Sequence, residues 1–129
     1  MNSLDLYQCN VCGNLLFLLE SSGIVPTCCG ETMELLPTNT NHAFDEKHVP
    51  IITRDGMTVS VSVGRVHHPM IESHFIKWII LVTDYGIYVH RLNPADNPQA
   101  QFYINPTEKI IAAYAFCNLH GLWINTPAK

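Results

Sequence analysis

Met57-Thr58-Val59-Ser60-Val61-Ser62-Val63 alternates apolar and hydroxyl-bearing side chains without a break. Successive side chains of an extended chain point to opposite faces, so this run gathers the methionine and the valines on one side and the threonine and serines on the other. A helix would scatter the same residues around its axis. The period therefore decides for a half-buried strand. Outward from it, Ile76 to Val82 is nearly continuous apolar and fits a strand buried on both faces. Tyr85 to Leu92, Ala100 to Ile104, Ile110 to Phe116 and Leu122 to Asn125 add further short strands. Gly56, Gly64, Gly86, Asn93-Pro94 and Asn105-Pro106 punctuate them. Short strands at this spacing predict a mainly β chain, with a small antiparallel β-sandwich over residues 44–129. Nothing in that part carries a helical period, and the chain has no internal repeat.

Residues 1–36 read differently. They hold Asp5, Glu20, Glu31 and Glu34 and no lysine or arginine, whereas the rest of the chain carries seven acids and seven bases. Residues 37–43, with Pro37-Thr38-Asn39-Thr40-Asn41, read as a linker. The chain of 129 residues is long enough for one ordinary domain or two very small ones, and 47% hydrophobic residues suffice for a core. A net charge of -4 argues against a general nucleic-acid binder. No apolar run approaches the ~20 residues of a membrane span. Met1-Asn2-Ser3-Leu4-Asp5 has no basic start and Leu15 to Leu19 is too short for a signal core. These features predict a cytoplasmic protein, where thiols stay reduced.

In that compartment Cys9-x-x-Cys12 followed by Cys28-Cys29 reads as metal or redox chemistry. Fewer than about 40 residues rarely fold alone without a metal or a disulfide, so these cysteines have a structural task whatever else they do. Two thiolates three residues apart reach one ion when the turn between them tightens, and Gly13 eases that turn. The adjacent pair faces one ion only through a local distortion of the chain. On spacing alone a four-cysteine zinc that holds the module together is the better reading; an iron that passes one electron is the functional alternative.

The fifth cysteine sits in Cys117-x-x-His120, whose spacing lets a thiolate and an imidazole converge on one ion. His48, His67, His68 and His74 are further candidates. Each alone has a plainer reading: His48 as a surface histidine on a loop, His74 as the first residue of a strand. His67 and His68 point opposite ways in an extended segment, so at most one of them faces a shared site. His42 and His90 have no supporting context. One soft thiolate with several imidazoles suits iron or copper. Five ligands on an ion that accepts six leave one position open, as in a catalytic site. Lys47 adds a positive charge next to His48, although an exposed lysine is usually just a solvated one.

Glu46-Lys47-His48-Val49-Pro50, His68-Pro69-Met70, His74 ahead of Phe75-Ile76-Lys77-Trp78-Ile79, and Cys117-Asn118-Leu119-His120-Gly121 together resemble desulfoferrodoxin, the two-iron superoxide reductase. The resemblance runs from Tyr7 to Trp123. The segment with the adjacent cysteines is similar to desulforedoxin, which shifts the expected metal there from zinc to iron. The resemblance implies a rubredoxin/desulforedoxin-like module followed by an immunoglobulin-like sandwich, usually as a homodimer. It implies two irons per chain, one on Cys9, Cys12, Cys28 and Cys29. The other would take His48, His68, His74 and His120 in its equatorial plane and Cys117 as axial ligand. His68 is preferred to His67 because it directly precedes Pro69-Met70. By the same resemblance Glu46 can occupy the open position in the ferric state, Lys47 assists superoxide, and a rubredoxin-like protein donates the electron. Two rivals stand beside this reading. A blue-copper electron carrier needs two histidines, a cysteine and a weak axial methionine, and no methionine follows His120. A zinc-ribbon module on an inert sandwich leaves Cys117-x-x-His120 idle.

Overall fold

The structure, a computed structural model, describes residues 4–127; Met1, Asn2 and Ser3 and the last two residues, which the expected units include, lie outside the described residues. The chain divides into two compact units, Met1–Pro37 and Thr38–Lys129.

The first unit is built from β1 (Leu6–Gln8), β2 (Leu15–Phe17), β3 (Thr27–Cys28), β4 (Glu31–Thr32) and β5 (Glu34–Leu35). The antiparallel order is β2-β1-β5, with β3 and β4 forming a separate two-stranded ribbon. Its core is small: Tyr7, Cys9 and Met33 are buried, with Leu16, Leu18 and Cys28 packed on them.

The second unit opens with a single 3-10 turn, His42–Phe44, and a one-turn helix α1 (Asp45–His48). Seven strands follow: β6 (Pro50–Asp55), β7 (Thr58–Val63), β8 (Ile76–Thr83), β9 (Ile87–Arg91), β10 (Gln99–Tyr103), β11 (Ile110–Cys117) and β12 (Gly121–Asn125). They form two antiparallel sheets, β10-β7-β6 and β12-β11-β8-β9. Val59, Val61 and Val63 pack from the first sheet against Ile76, Ile79, Leu81, Ala113, Ala115 and Cys117 of the second. The register sets Val61 opposite Ala100 and Ile52. A slip of one residue would turn all three valines to solvent, losing about 1.5–3 kcal/mol for each. The register between β8 and β11 shifts at Phe116/Cys117, so that Cys117 pairs with Ile76 and skips Lys77. Such a bulge bends the strand end where the side chain must be aimed.

Three features differ from the sequence-based expectation. Residues 38 and 39 are not part of a free linker. Thr38 forms a parallel bridge to Leu122, and the Asn39 carboxamide accepts from the Ile124 N–H at 2.8 Å and donates to the Ile124 carbonyl at 3.1 Å. β6 carries no clear apolar alternation, yet it pairs with β7 along its whole length. His48 ends a helix instead of lying on a loop. Among the described residues, no helix is long and apolar enough to cross a membrane.

Candidate metal centres

His48 ends α1, His68 and His74 lie in the connection between β7 and β8, Cys117 ends β11, and His120 lies in the turn into β12. Their five ligand atoms all lie within 4.8 Å of one another. The imidazoles form a closed circuit. Ring centroids are 4.5 Å apart for His48–His68, 4.6 Å for His68–His74, 5.0 Å for His74–His120 and 4.9 Å for His120–His48. Neighbouring rings in that circuit are nearly perpendicular, at 78 to 88°.

Hydrogen bonding on the outer side of the circuit fixes what its inner side offers. His48 Nδ1 lies 2.9 Å from the Phe44 carbonyl, and His68 Nδ1 lies 2.6 Å from the Pro69 carbonyl. A carbonyl only accepts, so each Nδ1 carries the proton and each Nε2 is left with a bare lone pair. Those two Nε2 atoms face each other at 3.0 Å. Two lone pairs cannot bond to one another. His74 Nε2 is buried with no partner, and His120 Nδ1 points inward at 3.1 Å from His48 Nε2. Four converging ring nitrogens, two of them bare, beside the Cys117 sulfur, 3.9 Å from His120 Nδ1, fit a soft-to-borderline cation.

Burial drives the titration of this set. His68 is pushed down to about 4 by burial, with the neighbouring histidines adding to it. Burial also lowers His48 and His74, and the Lys47 ammonium is near enough to lower both further. For these three histidines burial thus favours the neutral form, the form in which an imidazole binds a metal. Burial raises the Cys117 thiol, opposed by the backbone N–H groups of Leu119 and His120; a bound cation would reverse the balance.

Two aromatic residues that carry no ligand chemistry fix the rings. Trp123, fully buried, stacks on His48 at 4.9 Å and 27°, and its Nε1–H donates to the His120 carbonyl at 3.1 Å. Phe44 lies 4.4 Å from the His120 ring. Glu46 and Lys47 are exposed on α1 beside His48. His67 is exposed and outside the cluster, so the structure brings in His68 of that pair. His42 contacts Asp45 and His90 lies against Phe102, both away from the cluster.

The second cluster is Cys9, Cys12, Cys28 and Cys29, with sulfurs again within 4.8 Å of one another. The distortion that the adjacent pair requires falls on Cys29, which has a left-handed φ of 53°. Cys9 receives the N–H groups of Val11 and Cys12 at 3.4 Å each, which lower its thiol to about 6. Cys29, crowded by the neighbouring thiols, is pushed up to about 12. Neighbouring thiols raise both Cys28 and Cys29, and a shared cation at four sulfurs this close would offset that and favour the thiolates.

The fold and the two clusters define a β-sandwich metalloprotein with two separate ligand sets, one of thiolates and one mostly of imidazoles. Family profiles agree: the desulfoferrodoxin profile matches residues 40–126, and the desulfoferrodoxin N-terminal domain profile matches residues 1–36. The chain belongs to the desulfoferrodoxin family. The desulfoferrodoxin of Clostridium acetobutylicum is 44% identical over 122 residues, covering 95% of each chain. That of Nitratidesulfovibrio vulgaris is 43% identical over 122 residues, again 95% of each chain. The solved superoxide reductase of Treponema pallidum superposes with a TM-score of 0.81 at 31% identity, over 98% of this chain and 100% of that one. The superoxide reductase of Giardia intestinalis matches with a TM-score of 0.55 at 33% identity, over 65% of this chain and 99% of that one. The two clusters match the two iron centres of desulfoferrodoxin.

Proposed function

We propose that this protein is a superoxide reductase. Superoxide, one electron from an external donor and two protons become hydrogen peroxide, and no dioxygen is released. The observation that carries the reading is the closed circuit of four histidines, two of them with bare inward nitrogens, beside a buried cysteine. Iron held by these five residues would supply the single electron that superoxide takes up.

The chain's own residues do the rest. His48, His68, His74, His120 and Cys117 hold the metal. The Phe44 and Pro69 carbonyls keep the protons of His48 and His68 on the outer nitrogens, so that both rings stay aimed inward. Lys47 would draw the anionic substrate toward the metal. Glu46, next to it, would offer the metal a carboxylate in its ferric state. Cys9, Cys12, Cys28 and Cys29 hold the second iron, in a module spanning about residues 1–36, while residues 44–129 carry the catalysis. A rubredoxin-like protein donates the electron to a homodimer in the cytoplasm.

Pulse radiolysis of anaerobically purified protein tests the reading. Expected are two irons per chain, a fast second-order reaction with superoxide, and peroxide without dioxygen. Dioxygen evolution in step with peroxide would refute reduction as the reaction. Zinc in the cysteine module would overturn only the iron assigned there.

A further inference from the structure

Three of the four clustered histidines are held by contacts of their own rings or of an aromatic on their backbone. His48 and His68 are tied through Nδ1 to carbonyls, and His120 lies under Phe44 with its carbonyl held by Trp123. No hydrogen bond to the His74 ring exists among the described residues, and its Nε2 is buried without a partner. Its direction must come from its backbone. That backbone forms a tight reciprocal pair with Ile71, at 3.1 Å for Ile71 N–H to the His74 carbonyl and 3.0 Å for His74 N–H to the Ile71 carbonyl. The resulting four-residue loop is exposed at Ile71, Glu72 and Ser73, and among the described residues one side chain clamps it to the strand end opposite.

That clamp is Asn118, between Cys117 and His120. Its Oδ1 accepts from the Phe75 N–H at 2.9 Å, and its Nδ2 donates to the Ser73 carbonyl at 3.1 Å. Its own N–H donates to the Phe75 carbonyl at 3.2 Å. One carboxamide thus grips the chain on both sides of His74, and it does so from the loop that carries Cys117 and His120. We propose that Asn118 is the positioning residue of His74, setting the gap between that histidine and the Cys117–His120 loop and thereby the retention of the metal. The inference rests on the reading of this cluster as the iron centre. Asn118 touches neither metal nor substrate; it acts through the two backbone groups it holds. Because it is exposed, its loss opens no cavity in the core.

The test uses full-length, iron-loaded protein and two variants. Asn118→Ala removes both side-chain contacts. Asn118→Asp keeps the acceptor for Phe75 N–H and loses the donor to Ser73. Two readouts are taken that need no turnover: peptide-resolved deuterium uptake across residues 71–77, and the rate at which a chelator strips each centre. For Asn118→Ala we expect faster uptake across 71–77 and release from the histidine centre about 10–100-fold faster, the usual cost of losing a group that orients a ligand. The four-cysteine centre, as internal control, should release at the parent rate. Asn118→Asp should stay near the parent in uptake and release more slowly than Asn118→Ala. Faster uptake with an unchanged release rate would overturn the positioning role, and so would equal acceleration at both centres. Failure of the parent protein to reduce superoxide would strike the functional reading and leave this comparison intact.

Discussion

Gly64→Ala should displace the helix that carries Lys47 and His48. Gly64 has a φ of +84°, and a Cβ there would sit 2.6 Å from the Lys47 carbonyl oxygen and closer still to that of Val66. The left-handed backbone costs a non-glycine residue roughly 1–2 kcal/mol. Relieving the clash with two carbonyls costs about 1–3 kcal/mol more in shifted backbone. The sum, about 2–5 kcal/mol, lowers the Tm of a unit this size by at least about 8 °C. The same point is where α1 is seated. Gly64 N–H donates to the Val49 carbonyl at 3.1 Å and Val66 N–H to the Glu46 carbonyl at 3.2 Å. His48 should therefore move with the helix, and the histidine centre should lose metal before the cysteine centre does. Gly56→Ala is the control: φ is +62°, but a Cβ there meets nothing within 4 Å, so only the backbone cost of roughly 1–2 kcal/mol remains. Thermal melts of both variants, followed with the visible spectrum, give the comparison. Equal melting points for the two variants, with an unchanged histidine centre, would refute the seating argument.

Lys47→Ala should slow superoxide capture about tenfold and flatten its salt dependence while leaving the metal bound, because a local positive field raises association rates roughly 10 to 10³-fold and salt screens it. Pulse radiolysis across ionic strengths reads both, and an unchanged rate and slope makes Lys47 an ordinary solvated lysine. Cys117→Ser should abolish the ferric iron–thiolate absorption and most activity, since a hydroxyl is a far weaker donor than a thiolate; a retained visible band removes Cys117 from the ligand set. Glu108→Gln should flatten the acid limb of stability. Burial alone would raise that carboxyl, but donors from Thr83, Tyr88 and Asn105 and the charge of Arg54 hold it below its usual 4.5. A carboxyl depressed in the fold contributes stability above its unfolded pKa and loses it as pH falls through the folded one. Denaturant midpoints of parent and variant should therefore converge as the pH drops below about 4, and parallel curves would show that Glu108 is not the group responsible.

The strands with a clean period were legible in the residues, and those whose order comes from neighbours were not. Val59, Val61 and Val63 alternate and are buried as the pattern requires. β6 reads Pro-Ile-Ile-Thr-Arg-Asp, with both isoleucines adjacent, so its strand character comes from six paired positions along β7 and not from its own sequence. α1 is four residues long, too short for any period to register. Asn39 reads as linker because asparagine favours turns, yet it takes a left-handed φ of 51° and its carboxamide holds both backbone groups of Ile124. In the site, metal-ligand residue types betray themselves by chemistry and spacing. Trp123, Phe44 and Asn118 do not: an indole, a phenyl and a carboxamide have many uses, and only contact with a histidine or its flanking backbone gives them this one.

The two centres also differ in what metal does for the chain around them. In the first unit the buried hydrophobics among the described residues are Leu4, Leu6, Tyr7, Cys9 and Met33, and one of those is itself a candidate ligand. A core that small cannot offset the entropy of ordering its residues, so metal binding and folding are one event there. Two of its four cysteines, Cys12 and Cys29, are open to solvent, and backbone N–H groups ease Cys9 toward the thiolate. In the second unit a full sandwich core stands behind Cys117, and carbonyls and aromatics orient the imidazoles independently of any ion. A cation is the charge that the facing lone pairs and the raised thiol of this centre call for. Metal therefore folds the first unit and completes the second. The ligands of the second centre are thus oriented by β-strand ends, carbonyls and aromatics, and would not have to be drawn into place by the ion.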